Sequence, residues 1–341
     1  MTLDERKKKI LESVIIEYVE TAEPVGSRAV VKKHNLNISA ATARNEMSDL
    51  EEMGYMEQPH TSAGRIPSEM GFRYYVDRIM LKESPTEQEI QMLGKILKEK
   101  IVDWDETIAT IARYISQLTH YTAFVVAPGV DSSEIRLLQL VPLEPGLALL
   151  LVVTDMGIIM HRKIDLPDSI NVNDLQIVGG FLNKAFQGKK LSDIRRSDMQ
   201  LVRDDLAKQR KRVVNCALEA IDHLFGSKNE KVVISGTLNI LNEPEFKDYV
   251  RLKKILTLLE EEVLFRELIP DDVGDDITIR IGKENKVEDA QDMSLVVGGY
   301  SVFGEMGKIG VIGPVRMEYW KAAGTVETIQ AFLGDFLKQH F

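Results

Sequence analysis

Arg44 and Asn45 stand side by side, and their chemistry suits the edges of DNA bases. A guanidinium can bond guanine through two parallel N–H groups, and a carboxamide can pair with adenine in a similar way. Ser39, Ala40, Ala41 and Thr42, just before them, are small or hydroxylic. Small side chains let a backbone come close to a groove, so Ser39, Ala41, Thr42, Arg44 and Asn45 form a candidate base-reading set. Lys7, Lys8, Lys9, Arg28, Lys32 and Lys33 are cations that can meet phosphates, which position a protein without reading sequence. Ser27 and His60 are further candidates for backbone contact, and Arg65 is a candidate for the minor groove.

The spacing of apolar residues predicts what must hold this set. Ile10, Leu11, Val14, Ile15, Tyr18 and Val19 recur at helical spacing, with Thr2 and Glu5 as a capping box and Pro24 and Gly26 as the stop. Ser27 is expected to cap a short second helix over Arg28–His34, and Asn35 to Ile38 make a turn. Ser39 caps a third helix that runs to Met53, and Gly54 suits the left-handed residue after it. Ala43, Met47 and Leu50 fall on its inner side. Ala41, Asn45, Ser48 and Glu52 fall opposite. The first half of that outer face is small, polar or cationic, whereas Asp49, Glu51 and Glu52 crowd the second, so the N-terminal half is the one that fits DNA. Tyr55-Met56-Glu57 and Arg65-Ile66 flank a polar loop and read as a hairpin. Helices followed by a hairpin make a winged helix-turn-helix. Such modules also serve as protein-interaction units, and that plainer reading stays open.

The chain has 341 residues, 44% of them hydrophobic, with 53 Asp and Glu against 43 Lys and Arg for a net charge of −10. This is globular composition, enough for two or three domains at about 150 residues each. The acidity argues against non-specific nucleic-acid binding by the whole molecule. Residues 1–82 carry 12 basic and 13 acidic side chains, so the excess lies beyond them. No apolar run has the length of a membrane span or signal peptide, and a cytoplasmic location is expected. Cys216 stands alone, which excludes an internal disulfide and any Cys-rich metal site. The six His are scattered without metal-ligand spacing. Gly298, Gly299, Gly304, Gly307, Gly310 and Gly313 lack the Lys-Ser/Thr of a phosphate loop, and hairpin turns and bulges are the expected explanation. Asp271-Asp272 and Asp275-Asp276 do not match a calcium loop. No cofactor, metal or catalytic constellation is expected, and the chain does not read as an enzyme.

Beyond residue 82, Ser84-Pro85 with Glu87 predicts a helix start, with Ile90, Leu93, Leu97 and Ile101 as its stripe. A further helix spans about Glu106–Leu118. Strands over Thr122–Ala127, Ile135–Val141, Leu147–Thr154 and Ile158–Ile164 read as an antiparallel meander. A charged, helical stretch from Asn171 to Phe225 follows, in which Lys208 to Arg212 reads as a solvated helix face. Then come a short strand at Lys231–Ser235, helices over Glu245–Leu268, two strand regions (Ile277–Ile281 and Ser294–Ile312) and a final helix. The fold class is α+β.

In their order, several segments resemble the HrcA family of bacterial heat-inducible transcription repressors. They are Glu23-Pro24-Val25-Gly26-Ser27, Ser39 to Met47, Leu50 to Tyr55, His60 to Ser68, Gly71 to Asp77 and Gly310 to Met317. The resemblance implies a homodimer that binds a long inverted repeat, the CIRCE element, and represses chaperone operons, with the chaperonin GroEL keeping it competent. It also implies a winged helix, a GAF-like mixed-sheet domain and a helix-rich inserted dimerisation domain. The expected limits are 1–82 for the winged helix, 83–103 for a connecting helix, 104–165 and 229–341 for the two parts of the GAF-like domain, and 166–228 for the insertion. Two other classes remain open from the residues alone: a small-molecule-sensing regulator using a GAF-like pocket, and an interaction scaffold that never touches DNA.

Overall fold

The computed structural model describes residues 3–61, 63–100, 104–128, 133–155, 159–167, 170–194, 208–225, 230–274, 276–302 and 305–340. Thr2, Ile101, Gly129, Asp275 and Gly304 fall outside them, as do the side chains of Lys208 to Lys211.

Three helices open the chain: α1 (Glu5–Thr21), α2 (Ser27–Lys33) and α3 (Ala40–Glu52). Strands β1 (Met56–Glu57) and β2 (Ile66–Pro67) then pair antiparallel. The cap of α1 is Asp4, whose carboxylate accepts the Lys7 N–H at 2.8 Å. Ser27 does not cap α2 as expected; it is the first helical residue, and Gly26 precedes it with no side-chain cap. Ala22, in the left-handed region at φ 56°, ends α1 before Pro24 is reached.

A helix that the apolar pattern did not announce, α4 (Glu69–Arg78), follows the hairpin. Ser68 caps it by accepting the Gly71 N–H at 3.0 Å, and its hydroxyl donates to the Gly54 carbonyl at 2.6 Å. Gly71 is required because a β-carbon there would lie 2.1 Å from the Tyr55 carbonyl oxygen. This helix joins the first unit to the rest. Phe72 lies 5.7 Å from the Tyr319 ring, and Tyr75 meets Trp320 edge-on at 6.2 Å. Arg73 bonds Glu284 at 2.9 Å and the Ile279 carbonyl at 2.7 Å. The core of the first unit is therefore continuous with that of the body.

The body begins with α5 (Glu87–Lys100) and α6 (Trp104–Thr119). Thr86 and Glu89, not Ser84 and Glu87, form the capping box of α5: the Thr86 N–H donates to Glu89 at 2.8 Å and the Glu89 N–H to Thr86 at 3.3 Å. Five strands make one antiparallel sheet in the order β7-β3-β10-β9-β8, namely β3 (Thr122–Ala127), β7 (Lys231–Ser235), β8 (Thr278–Ile281), β9 (Met293–Val302) and β10 (Glu305–Pro314). Helices α6 and α11 (Tyr319–His340) cover one face, packing on Ala123, Val125, Ile309 and Val311. Helices α9 (Tyr249–Glu260) and α10 (Glu262–Leu268) cover the other, on Phe124, Val126, Leu295 and Val297. Burial on both faces is why β3 and β9 read as nearly unbroken apolar runs.

Gly298, Gly299, Gly307, Gly310 and Gly313 occupy strand positions. The β9–β10 register runs without a shift, so bulges do not explain them. Gly310 leaves room for the Phe124 ring and Gly313 for that of Tyr121, where a β-carbon would sit at 2.7 and 2.8 Å.

The expected four-strand meander divides in two. Strand β3 joins the large sheet, whereas β4 (Ile135–Glu144), β5 (Leu147–Thr154) and β6 (Ile159–Asp165) pair only in a second, three-stranded sheet. With α7 (Val172–Phe186) and α8 (Lys208–Phe225) they enclose a separate core that includes Leu138, Leu150, Leu182, Phe186 and Ile221. Residues 135–165 thus pack with the stretch expected to be the insertion rather than with 104–127. The overall class is α+β, and no described helix is long and apolar enough to cross a membrane.

Candidate nucleic-acid interface

The turn between α2 and α3 sets the pose of α3. Asn35 takes the left-handed region at φ 48°, where a short polar side chain is tolerated, and Leu36 and Ile38 reach back onto the core. Ser39 then caps α3 as expected: its hydroxyl accepts the Thr42 N–H at 3.0 Å and lies 2.9 Å from the Thr42 hydroxyl. Ala43, Met47 and Leu50 are buried against α1, which anchors the inner side.

The outer side is open. Ala41, Arg44 and Asn45 are exposed, at spacings that place them on one face with Ser48. Among the described residues Arg44 and Asn45 make no side-chain hydrogen bond or ion pair, so a guanidinium and a carboxamide stand ready beside the N-terminus of the helix. Free N–H groups and the positive end of the dipole favour an anion at that end.

The candidate phosphate contacts fall into two groups. Lys9, Arg28 and Lys32 are exposed, as is His60 in the hairpin loop. Lys7 is not free: its amine lies 2.6 Å from Glu46 and 2.9 Å from Asp49, both on α3, and these carboxylates push its pKa above the usual lysine range. Lys8 pairs with Glu5 at 2.8 Å, and Lys33 with the buried Glu17 at 2.5 Å. Ser27 is half-buried.

Arg65 sits at the base of the hairpin, paired with Glu51 at 2.7 Å and only 18% exposed. Its backbone exchanges two hydrogen bonds with Val25, each 2.9 Å, stitching the hairpin to the segment between α1 and α2. Gly64 permits this approach, since a β-carbon there would meet the Val25 carbonyl at 2.4 Å. The Gln58 carboxamide spans the loop by donating to the Thr61 and Ala63 carbonyls at 3.1 and 3.0 Å.

Three structural contributors escaped the reading of the residues: Glu46, Gln58 and Arg316. Charge alternation between α1 and α3 was a usable signal for Glu46. Nothing in the spacing pointed to Arg316, which joins α1 to the body across almost the whole chain. Among the described residues no group of three His, Cys, Asp or Glu side chains converges to hold a metal.

The model of the HrcA protein C-terminal domain matches residues 105–323. A heat-inducible transcription repressor HrcA of Pelotomaculum thermopropionicum is 42% identical over 342 residues, covering 99% of this chain and 98% of the relative. That of Carboxydothermus hydrogenoformans is 41% identical over 338 residues, covering 98% of each. A crystal structure described as that of a hypothetical protein shares the fold, with a TM-score of 0.65 at 22% identity over 99% of both chains.

Proposed function

The chain belongs to the HrcA family of heat-inducible transcription repressors, and on that premise we propose that it represses heat-shock genes by binding operator DNA through the N-terminal half of α3. The carrying observation is the exposed face of Ala41, Arg44 and Asn45 behind the Ser39 cap, unpartnered among the described residues. In this reading the first three helices and the hairpin are a winged helix-turn-helix. Arg44 and Asn45 read bases, Ser39 and Thr42 line the approach, and Lys9, Arg28, Lys32 and His60 meet phosphates.

The operator would be an inverted repeat of the CIRCE type, because a two-fold dimer presents two such helices to two half-sites. The five-stranded sheet with its helices would be the GAF-like domain. The unit built on β4–β6, α7 and α8 would be the inserted dimerisation domain, and its separate sheet and core support limits near 133–225 in place of 166–228. GroEL would keep the repressor competent, and the protein would act in the cytoplasm. The ligand-sensing alternative has less to support it, since both faces of the large sheet are filled by packed apolar side chains.

The test is an anisotropy titration on a CIRCE-type repeat against a scrambled duplex, at two salt concentrations, with and without GroEL. The expected result is preference for the repeat, weakening steeply with salt as counterions are released, and strengthened by GroEL. Equal affinity for both duplexes in every condition would sink the reading and favour an interaction scaffold.

A further inference from the structure

The charges of α3 are arranged with its neighbours. The helix carries one cation, Arg44, and four carboxylates, Glu46 at its middle and Asp49, Glu51 and Glu52 in its second half. Carboxylates there face two penalties: the negative end of the helix dipole and, near DNA, the phosphates. Three of the four are met by cations from other elements. Lys7 of α1 bonds Glu46 and Asp49, Arg6 adds a contact to Glu46 at 3.4 Å, and Arg65 of the hairpin bonds Glu51. These cations approach from opposite sides in sequence, one pair from the helix before and one from the base of the hairpin after. Lys7 and Glu46 are each 13% exposed, so their pair lies between α1 and α3 rather than on the outer face.

We propose that Lys7 and Arg65 support DNA recognition as positioning residues, neutralising the carboxylates of α3 and bracing that helix between α1 and the hairpin, in place of contacting phosphates themselves. The inference rests on the repressor reading above, which the wild-type titration tests separately. The basic residues of the first unit then have two distinct roles. Lys9, Arg28 and Lys32 remain for the DNA backbone, while Lys7 and Arg65 shape the helix that reads.

The experiment compares the full-length wild type with Lys7→Met and with the triple variant Lys7→Met/Glu46→Gln/Asp49→Asn. Affinity for the same inverted-repeat duplex is measured over a salt series. Lys7→Met leaves Asp49 uncompensated and Glu46 with only the longer Arg6 contact, and it is expected to weaken binding about tenfold. The triple variant removes cation and carboxylates together, so it is expected to return to within about threefold of wild type with an unchanged slope of log affinity against log salt. A direct phosphate contact gives a different pattern: the triple variant stays as weak as Lys7→Met, and its slope is shallower by about 0.9. That pattern overturns the proposal. The triple variant leaves no buried charge without a partner, so it decides the matter even if Lys7→Met fails to fold. Arg65→Met against Arg65→Met/Glu51→Gln is read in the same way.

Discussion

Arg316 donates from Nη1 to the carbonyl of Val19 at 2.7 Å, tying the last turn of α1 to the segment between β10 and α11. The same guanidinium bonds Glu243 at 2.8 Å and also Glu245, and it is only 11% exposed. One side chain thus holds the N-terminal unit, the strand end and the stretch leading to α9. Together with Arg73 on Glu284 it fixes the first unit to the body on two sides, so the body sets the direction in which α3 points.

Replacing Arg316 by Met should cost about 2–3 kcal/mol in stability at neutral pH, because two partly buried carboxylates lose their partner. Burial already raises the pKa of Glu243, and Arg316 opposes that rise. Without Arg316 the folded-state value climbs further above the unfolded one. A raised carboxyl weakens the folded state progressively as pH rises from its unfolded value toward its folded one, so the deficit should be greatest at the high end of the pH range and shrink as pH falls toward the ordinary carboxylate range. Urea midpoints at several pH values check this; a deficit that grows on acidification would contradict it.

Arg44→Ala should lower operator affinity by about 1–3 kcal/mol while sparing random-sequence DNA, if the guanidinium makes a bidentate base contact. Stability should hardly change, since Arg44 is exposed and unpartnered among the described residues. Parallel titrations on the two duplexes distinguish base reading from phosphate contact, which would lower both equally.

At Ser39 two substitutions separate capping from recognition. Ser39→Ala removes the acceptor of the Thr42 N–H and should cost about 1 kcal/mol. Ser39→Asp keeps an acceptor and should stay near wild-type stability, yet it sets a carboxylate where phosphate is expected. Its operator affinity should drop well below that of Ser39→Ala, as measured by anisotropy alongside thermal melts.

Gly64→Ala drives a β-carbon to 2.4 Å from the Val25 carbonyl. Backbone must move, at a cost of about 1–3 kcal/mol. The Val25 and Arg65 amides should lose hydrogen-exchange protection while those of β9 and β10 keep theirs. Unchanged protection at Val25 would show that the stitch does not depend on Gly64.

The second sheet leaves and rejoins the first at one place, because Ala127 and Lys231 are paired across β3 and β7. Replacing residues 128–230 by a short Asn-Gly hairpin turn should preserve the five-stranded sheet. If the removed unit makes the dimer, the shortened chain should be folded by circular dichroism and monomeric by light scattering. A folded dimer would place the dimer contact elsewhere.

What the sequence determined by itself was local. The three opening helices, the Ser39 cap, the two hairpin strands and nearly every later helix and strand were legible, because capping and side-chain periodicity act within a few residues. So were the exposed Ala41, Arg44 and Asn45, since the buried spacing of Ala43, Met47 and Leu50 leaves them no other side. Tertiary structure decided what depends on partners far along the chain. Strand β3 reads like β4 and β5, and only its neighbours β10 and β7 place it in a different sheet. Lys7 and Lys9 are equally basic, but Glu46 and Asp49 lie beside one and not the other. Gly307, Gly310 and Gly313 of β10 resemble turn residues in the sequence, but the rings of Tyr300, Phe124 and Tyr121 lie against them. A charge or an empty space acquires its role from whatever folds against it, and no periodicity carries that information.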